Sequence, residues 1–291
     1  MRLFIRLSII LLLIAQVSCD VINPDEDIPG YLIINDFDLD TNFGTQGSDS
    51  ENITELWVYA DGKYIGAYSV PAEIPVLHEG PTDITILPGI RKNGISSTRA
   101  VYPYYSQFIT SVDFSPAMDA SISPQFTYKE NLTFWLENFD DPGIKITASS
   151  ASDTTLEVTA NPDLVFEGSG SGMIHLTADS TYFFARTDEG IDLPSGSAIF
   201  CELDYKSDNT FAVGLEAYSS GSVDRAAALV VLPSTNNSGV AEWNKIYIEL
   251  SYIAGNFPNA DFFTFYIESF MDGGRTESEI FIDNIKIVHF N

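Results

Sequence analysis

From Tyr31 onward the chain is written in short runs of β-branched and aromatic residues broken by turn residues, and no stretch repeats its apolar residues at the helical period. That pattern confines it to an all-β fold. Its clearest instance is Leu56-Trp57-Val58-Tyr59-Ala60, then Asp61-Gly62, then Lys63-Tyr64-Ile65-Gly66-Ala67-Tyr68. An Asp-Gly pair between two alternating runs predicts a hairpin, because a type I′ turn needs positive φ at both central residues. Further strands are expected at Tyr31–Phe37, Ile74–Leu77, Asp83–Leu87 and Gln107–Phe114, with a turn at Pro88-Gly89 and no helix. From 132 the runs recur at Leu132–Leu136, Leu156–Thr159, Met173–Thr177, Tyr182–Thr187, Ile199–Tyr205, Phe211–Tyr218, Ala226–Leu232, Asn244–Leu250, Phe262–Ser269 and Glu279–Val288. So many short strands predict a sandwich.

Charge narrows the partners. The 291 residues hold 14 Lys+Arg against 41 Asp+Glu, a formal −27, with 13% aromatics. Disordered chains lack so many rings. Nucleic-acid affinity needs clustered Lys and Arg, which this composition does not supply. Three His and two Cys build neither a zinc ribbon nor a disulfide framework.

Residues 1–18 read as a secretory leader: Arg2 and Arg6, then an apolar run from Leu7 to Val17, too short for the roughly 20 residues a spanning helix needs. Gln16-Val17-Ser18-Cys19 resembles the lipobox of bacterial lipoproteins, which implies that Cys19 is acylated, for example with palmitate. Losing Arg2 and Arg6 makes the mature chain more acidic still, so attachment would come from acyl chains and not from a polybasic patch. Residues 19–30 form an acidic, Pro-bearing tether. An acidic stretch behind such a Cys is similar to the surface-export signal of Bacteroidota lipoproteins, implying the outer face of the outer membrane.

Residues 31–115 resemble the small PEGA or transthyretin-like sandwich modules of bacterial surface proteins through Tyr59-Ala60-Asp61-Gly62-Lys63-Tyr64-Ile65-Gly66 and Ile86-Leu87-Pro88-Gly89. Residues 116–131 are small, polar and Pro-bearing, and are expected to be a linker. Residues 132–291 resemble the galactose-binding-like jelly roll of carbohydrate-binding modules. The phrases that carry this are Glu137-Asn138-Phe139-Asp140-Asp141, Glu167-Gly168-Ser169-Gly170-Ser171-Gly172-Met173, Trp243-Asn244-Lys245-Ile246-Tyr247-Ile248 and Ile280-Phe281-Ile282-Asp283-Asn284-Ile285-Lys286-Ile287.

On that last strand a period of two places Phe281, Asp283, Ile285 and Ile287 on one face, a carboxylate within an apolar row. A buried, unpaired carboxylate costs several kcal/mol. Ca²⁺ takes six to eight oxygens from carboxylates and carbonyls, and the jelly-roll resemblance implies a structural calcium held by Asp283 with Asp140 and Asp141. Solvation at the sheet end, or hydrogen bonds from backbone amides, would satisfy Asp283 equally.

For sugar binding the candidates are Tyr182, Phe183, Phe184, Arg186, Tyr218 and Trp243, since rings stack on sugar C–H patches while planar polar groups hold the rim. Arg91, Arg99 and Tyr104 form a second candidate set, basic groups beside tyrosines, against the plainer reading of an exposed hairpin. Gly168–Gly172 has neither the lysine nor the following helix of a phosphate loop. Cys201 lies in an apolar run and reads as packing. No nucleophile elbow is present, and acid abundance alone is no evidence of glycoside hydrolysis. The expectation is a non-catalytic, lipid-anchored surface protein that binds glycan. The alternatives are an assembly component docking other cell-envelope proteins and, in third place, a glycan-active hydrolase.

Overall fold

In the computed structural model, which describes residues 27–291, Asp61 and Gly62 take φ of 47° and 73°. This is the left-handed pair that the hairpin requires. The leader, Cys19 and residues 20–26 of the tether lie outside the described residues. The first unit comprises β1 (Gly30–Ile34), β2 (Asp38–Asp40), a one-turn helix α1 (Phe43–Gln46), β3 (Glu55–Ala60), β4 (Lys63–Tyr68), β5 (Ala72–Val76), β6 (Gly80–Arg91), β7 (Arg99–Val101), β8 (Phe108–Phe114), β9 (Asp119–Ile122) and β10 (Gln125–Thr127). β6 is the spine of one sheet, with β3 on one side and β8 and β7 on the other.

Three local expectations are corrected here. Pro88-Gly89 lies inside β6, opposite Leu56 and Glu55, and is not a turn. The side chains of Trp57 and Glu55 crowd Gly89, so a Cβ there would meet Trp57 at 2.8 Å. Residues 119–122 and 125–127 are strands paired in parallel with β1 and β2, so most of the expected linker completes the first unit. α1 is a helix where none was expected.

The second unit comprises β11 (Leu132–Glu137), β12 (Ile146–Ala148), β13 (Leu156–Thr159), β14 (Ser171–Thr177), β15 (Tyr182–Thr187), β16 (Ile199–Ser207), β17 (Phe211–Ser219), β18 (Ser222–Val231), β19 (Asn244–Glu249), helix α2 (Ser251–Asn256), β20 (Phe262–Phe270) and β21 (Glu277–Phe290). All ten expected runs are strands; β12 is the addition. One sheet runs β13-β14-β21-β16-β19, with β11 also on β21, and the other runs β12-β15-β20-β17-β18. Between them lies a core that includes Phe183, Ile199, Leu203, Phe211, Leu215, Phe265 and Ile267.

The alternation along β21 breaks in its middle. Asp283 pairs with Asp204 and Lys286 with Glu202, so Asn284 and Ile285 together oppose Leu203, and Asn284 has φ 47°. This bulge flips every later side chain to the other face. Ile280, Ile282, Ile285 and Ile287 therefore all enter the sandwich core, while Phe281 packs near Trp243 outside it. The expected single row of Phe281, Asp283, Ile285 and Ile287 does not form.

The first unit sits on the outer face of the β21-β16-β19 sheet, and its core runs on without a break into Phe200, Tyr247 and Val288. Tyr102, Tyr104, Tyr105 and Tyr128 fill the seam; Tyr102 lies 4.8 Å from Tyr247 and 5.3 Å from Phe200, ring to ring. At its centre Glu202 is fully buried. Its Oε1 accepts hydrogen bonds from Tyr102 (2.8 Å) and Tyr128 (2.7 Å), and Lys245 Nζ stands 3.3 Å from Oε2. Lys286 Nζ donates to Tyr128 Oη at 3.2 Å and to the Ser48 carbonyl. Burial opposes ionisation of Glu202, but Lys245, Lys286 and the two phenols outweigh it and hold the carboxyl below the usual glutamate range. Burial has the upper hand at Lys286, drawing its ammonium down to about 8 despite Glu202.

Glu202→Ala would leave two buried ammonium groups short of a counter-charge. It should destabilise the protein by about 3–5 kcal/mol, the usual result of removing one member of a buried ion pair. Urea denaturation checks this, with both units expected to unfold in one transition.

Candidate functional site

Because neighbours on a strand alternate faces, the β12-β15-β20-β17-β18 sheet has an outer face of its own. Phe183, Ala185, Phe263, Phe265, Ile267, Val213, Leu215 and Ala217 point into the core. Tyr182, Phe184 and Arg186 of β15, Phe262, Thr264, Tyr266, Glu268 and Phe270 of β20, Glu216 and Tyr218 of β17, and Arg225 of β18 point away. Every described hydrogen bond from the first unit to the second goes to the other sheet or the segments flanking it, so the first unit does not cover this face.

Rings mark both ends of the face. Tyr218 and Phe262 stack at 4.5 Å with 16° between their planes. Tyr182 and Phe270 lie 4.6 Å apart, and Phe270 is 62% exposed. Eight residues of β20 at roughly 3.3 Å each set Phe262 and Phe270 about 26 Å apart. Beside Phe270 a cleft of about 230 Å³ is lined by Thr210, Ala212, Val230, Glu268 and Asp272.

Between the ring pairs runs a strip of paired charges. Glu216 meets Arg186 at 3.0 Å and Arg225 at 2.8 Å, and also accepts from Tyr218 (3.2 Å) and Thr264 (3.3 Å). Glu268 accepts from Tyr182 Oη at 2.9 Å and stands 3.5 Å from Arg225. The Arg225 guanidinium lies 3.9 Å over the Phe184 ring, a stacking that favours Arg over Lys. Burial works against the Glu216 charge, but hydrogen bonds from Arg225 and Arg186 prevail and keep its carboxyl below the ordinary range. Burial and then Glu268 push the Tyr266 phenol up to about 12. The strip therefore stays ionised yet self-neutralised, with donors left over on Arg186, whose side chain is half exposed.

The structure thus brings Tyr182, Phe184, Arg186 and Tyr218 onto one face, although Arg225 covers Phe184. It does not bring Phe183 there, since that ring points into the core with none of its surface exposed. Trp243 lies just before β19, against Phe166 at 5.2 Å, on the opposite sheet. Tyr104 cannot belong to an exposed set either: it is buried in the seam, donates to the Ala198 carbonyl, and its phenol is raised by burial and by Glu202. Arg99 is half exposed, 3.7 Å from Glu55, and Arg91 lies beside the seam. Phe262, Tyr266, Phe270, Glu216, Arg225 and Glu268 are additions. The run Phe262-Phe263-Thr264-Phe265-Tyr266 carries rings on both parities, and that is the signal for a strand with apolar rings on its outer side as well.

Of the acids expected to hold calcium, Asp140 and Asp141 line one cleft with Asn284, and Asp283 is not among its lining residues. Asp283 is buried and takes hydrogen bonds from Ser171 Oγ (2.6 Å) and the Asn284 amide (2.8 Å). Asp140 instead accepts from Ser169, amide and hydroxyl, at the Gly168 turn. Among the described residues no three acidic, His or Cys side chains are gathered to hold a metal.

No family model matches the chain, and no curated protein matches it. Solved structures with which it shares a likeness include the K1 cleaved adhesin domain of Lys-gingipain from Porphyromonas gingivalis W83, at 13% identity and TM-score 0.37, covering 53% of this chain and 97% of that one. Another belongs to a study of promiscuous specificity in carbohydrate-binding modules of the β-sandwich superfamily, at 16% identity and TM-score 0.35, covering 80% and 84%. A third is a carbohydrate-binding module specific for non-crystalline cellulose, at 12% identity and TM-score 0.36, covering 52% and 91%. Likenesses this distant say nothing of site or ligand.

Burial lifts the Asp283 carboxyl to about 7, against the pull of its two hydrogen bonds. A raised acid binds its proton more tightly in the folded state, so its contribution is full below pH 4 and is lost as pH climbs to 7. Asp283→Asn should flatten that decline, whose slope is at most about 1.4 kcal/mol per pH unit. Chemical denaturation at several pH values between 4 and 8 tests this.

Proposed function

We propose that this chain binds glycan, without transforming it, on the outer face of the β12-β15-β20-β17-β18 sheet, which the first unit leaves free. One observation carries the reading: a ring pair at each end of the face, with Phe262 and Phe270 exposed and Tyr218 and Tyr182 half-buried, flanks a strip of fixed planar donors and acceptors. Sugar rings offer C–H patches to the aromatics and hydroxyls to Arg186, Glu268 and Tyr182. A long face suits an extended chain better than a single sugar. Two arginines balanced by two glutamates leave no spare positive charge, and the protein carries −27 overall. The ligand class is therefore a neutral polysaccharide.

The leader and the lipobox-like Cys19 support placing this face outside the cell on a lipid anchor, at the outer membrane surface. In that setting the protein holds polymer at the envelope. Cys19→Ser should release it into the soluble fraction, and mass spectrometry of the mature amino terminus reports the acyl chains directly.

Affinity gels with neutral glucans, mannans and xylans test the binding. Tyr218→Ala and Phe270→Ala should each weaken retention about tenfold, the equivalent of about 1.4 kcal/mol for a lost ring contact, while leaving the melting temperature near that of the parent. Loss of no affinity in either variant, or no retention on any polymer, removes the reading.

A further inference from the structure

At one edge of the seam the turn after β6 docks on β19: the Asn93 amide donates to the Tyr247 carbonyl at 2.7 Å, Asn93 Oδ1 accepts from the Glu249 amide at 2.9 Å, and Lys92 meets Glu249 at 2.8 Å. Beside this junction lies a cavity of about 120 Å³ lined by Asn52, Arg91, Gly94, Asn244, Lys245 and Tyr247. It belongs to neither the outer face nor the sandwich core. The space would hold several waters or one small ion.

Two of its lining side chains are cationic, and both present a buried nitrogen without a hydrogen-bond partner, Arg91 Nε and Lys245 Nζ. The Lys245 side chain is 2% exposed. Its charge is balanced by Glu202 at 3.3 Å and Asp204 at 3.8 Å. Arg91 differs. Among the described residues no carboxylate lies within ion-pair distance of it, and its cross-strand partner is Arg99, a like charge that is itself drawn to Glu55. Like charges directly opposite on a sheet repel, and a buried donor left unpaired costs free energy that a bound acceptor would recover. The spare positive charge at the cavity is thus the Arg91 guanidinium, a planar fork that suits an oxyanion.

We propose that this cavity is a binding site for a small oxyanion, which accepts hydrogen bonds from Arg91 Nε and Lys245 Nζ together. The site ties the first unit, through Arg91 and Asn52, to β19 of the second, so the anion would act as a clip across the seam. Its size favours a free ion over a group carried by a polymer.

Melting curves of the intact mature protein in sulfate, phosphate or acetate, against chloride at equal ionic strength, give the test. Stabilisation that grows with the concentration of an oxyanion is expected, with affinity at least tenfold weaker in Arg91→Gln and unchanged in Arg99→Gln, which leaves the cavity lining intact. A glucuronate arm separates sources: stronger binding of glucuronate oligosaccharides than of acetate would show a group on a larger molecule as the occupant. Crystals soaked in selenate provide a readout independent of folding, with an anomalous peak expected in the cavity. Equal stabilisation by chloride, an undiminished effect in Arg91→Gln, or a cavity filled only by water after the soak would overturn the proposal.

Discussion

Glu202 is the constraint to which the rest of the arrangement answers. A carboxylate at the middle of a sheet face, with none of its surface in water, is tolerable only if cations and donors converge on it. Lys245 and Lys286 come from its own sheet, one from the strand on each side, and Tyr102 and Tyr128 come from the first unit. The second unit alone would leave this face to water; the first unit supplies the phenols and the apolar rim that make burial workable. The two units are thus complementary in chemistry as well as in shape.

That dependence explains why the two faces of the second unit's sandwich differ. On the covered side the central carboxylate is sealed beneath the neighbouring unit and bonded by its phenols. On the other side Glu216 and Glu268 are satisfied within their own sheet by Arg186, Arg225 and Tyr182, so nothing further is needed to close it. A face that is electrostatically complete yet fringed with bare rings is suited to a ligand that brings hydroxyls and C–H groups and no charge of its own.

Strand existence was legible because period-two runs and turn residues are local properties. The Asp61-Gly62 hairpin and the ten runs after 132 needed no tertiary knowledge. What escaped was set by distant partners. Pro88-Gly89 reads as a turn, yet it passes through β6 opposite Leu56 and Glu55. The bulge at Asn284 is invisible in a run that alternates on paper. Tyr104 reads as an exposed ring until Phe200 and Ala198 are placed beside it. The seam left one trace: Glu202 stands between Cys201 and Leu203, and Lys286 between Ile285 and Ile287, in a chain poor in basic residues. Opposite charges stranded in this way point to one another. Of the sugar-face candidates, Tyr182, Arg186 and Tyr218 were within reach, whereas Phe183 and Phe184 could be told apart only by the parity of β15.

The way the first unit covers its sheet also fixes a direction. Whatever precedes Gly30 enters through β1, on the sealed side of the sandwich, and the unbroken core between the units leaves no hinge about which the second could swivel. Whatever holds one unit therefore holds the other, and the aromatic face keeps a fixed bearing with respect to the Gly30 end of β1.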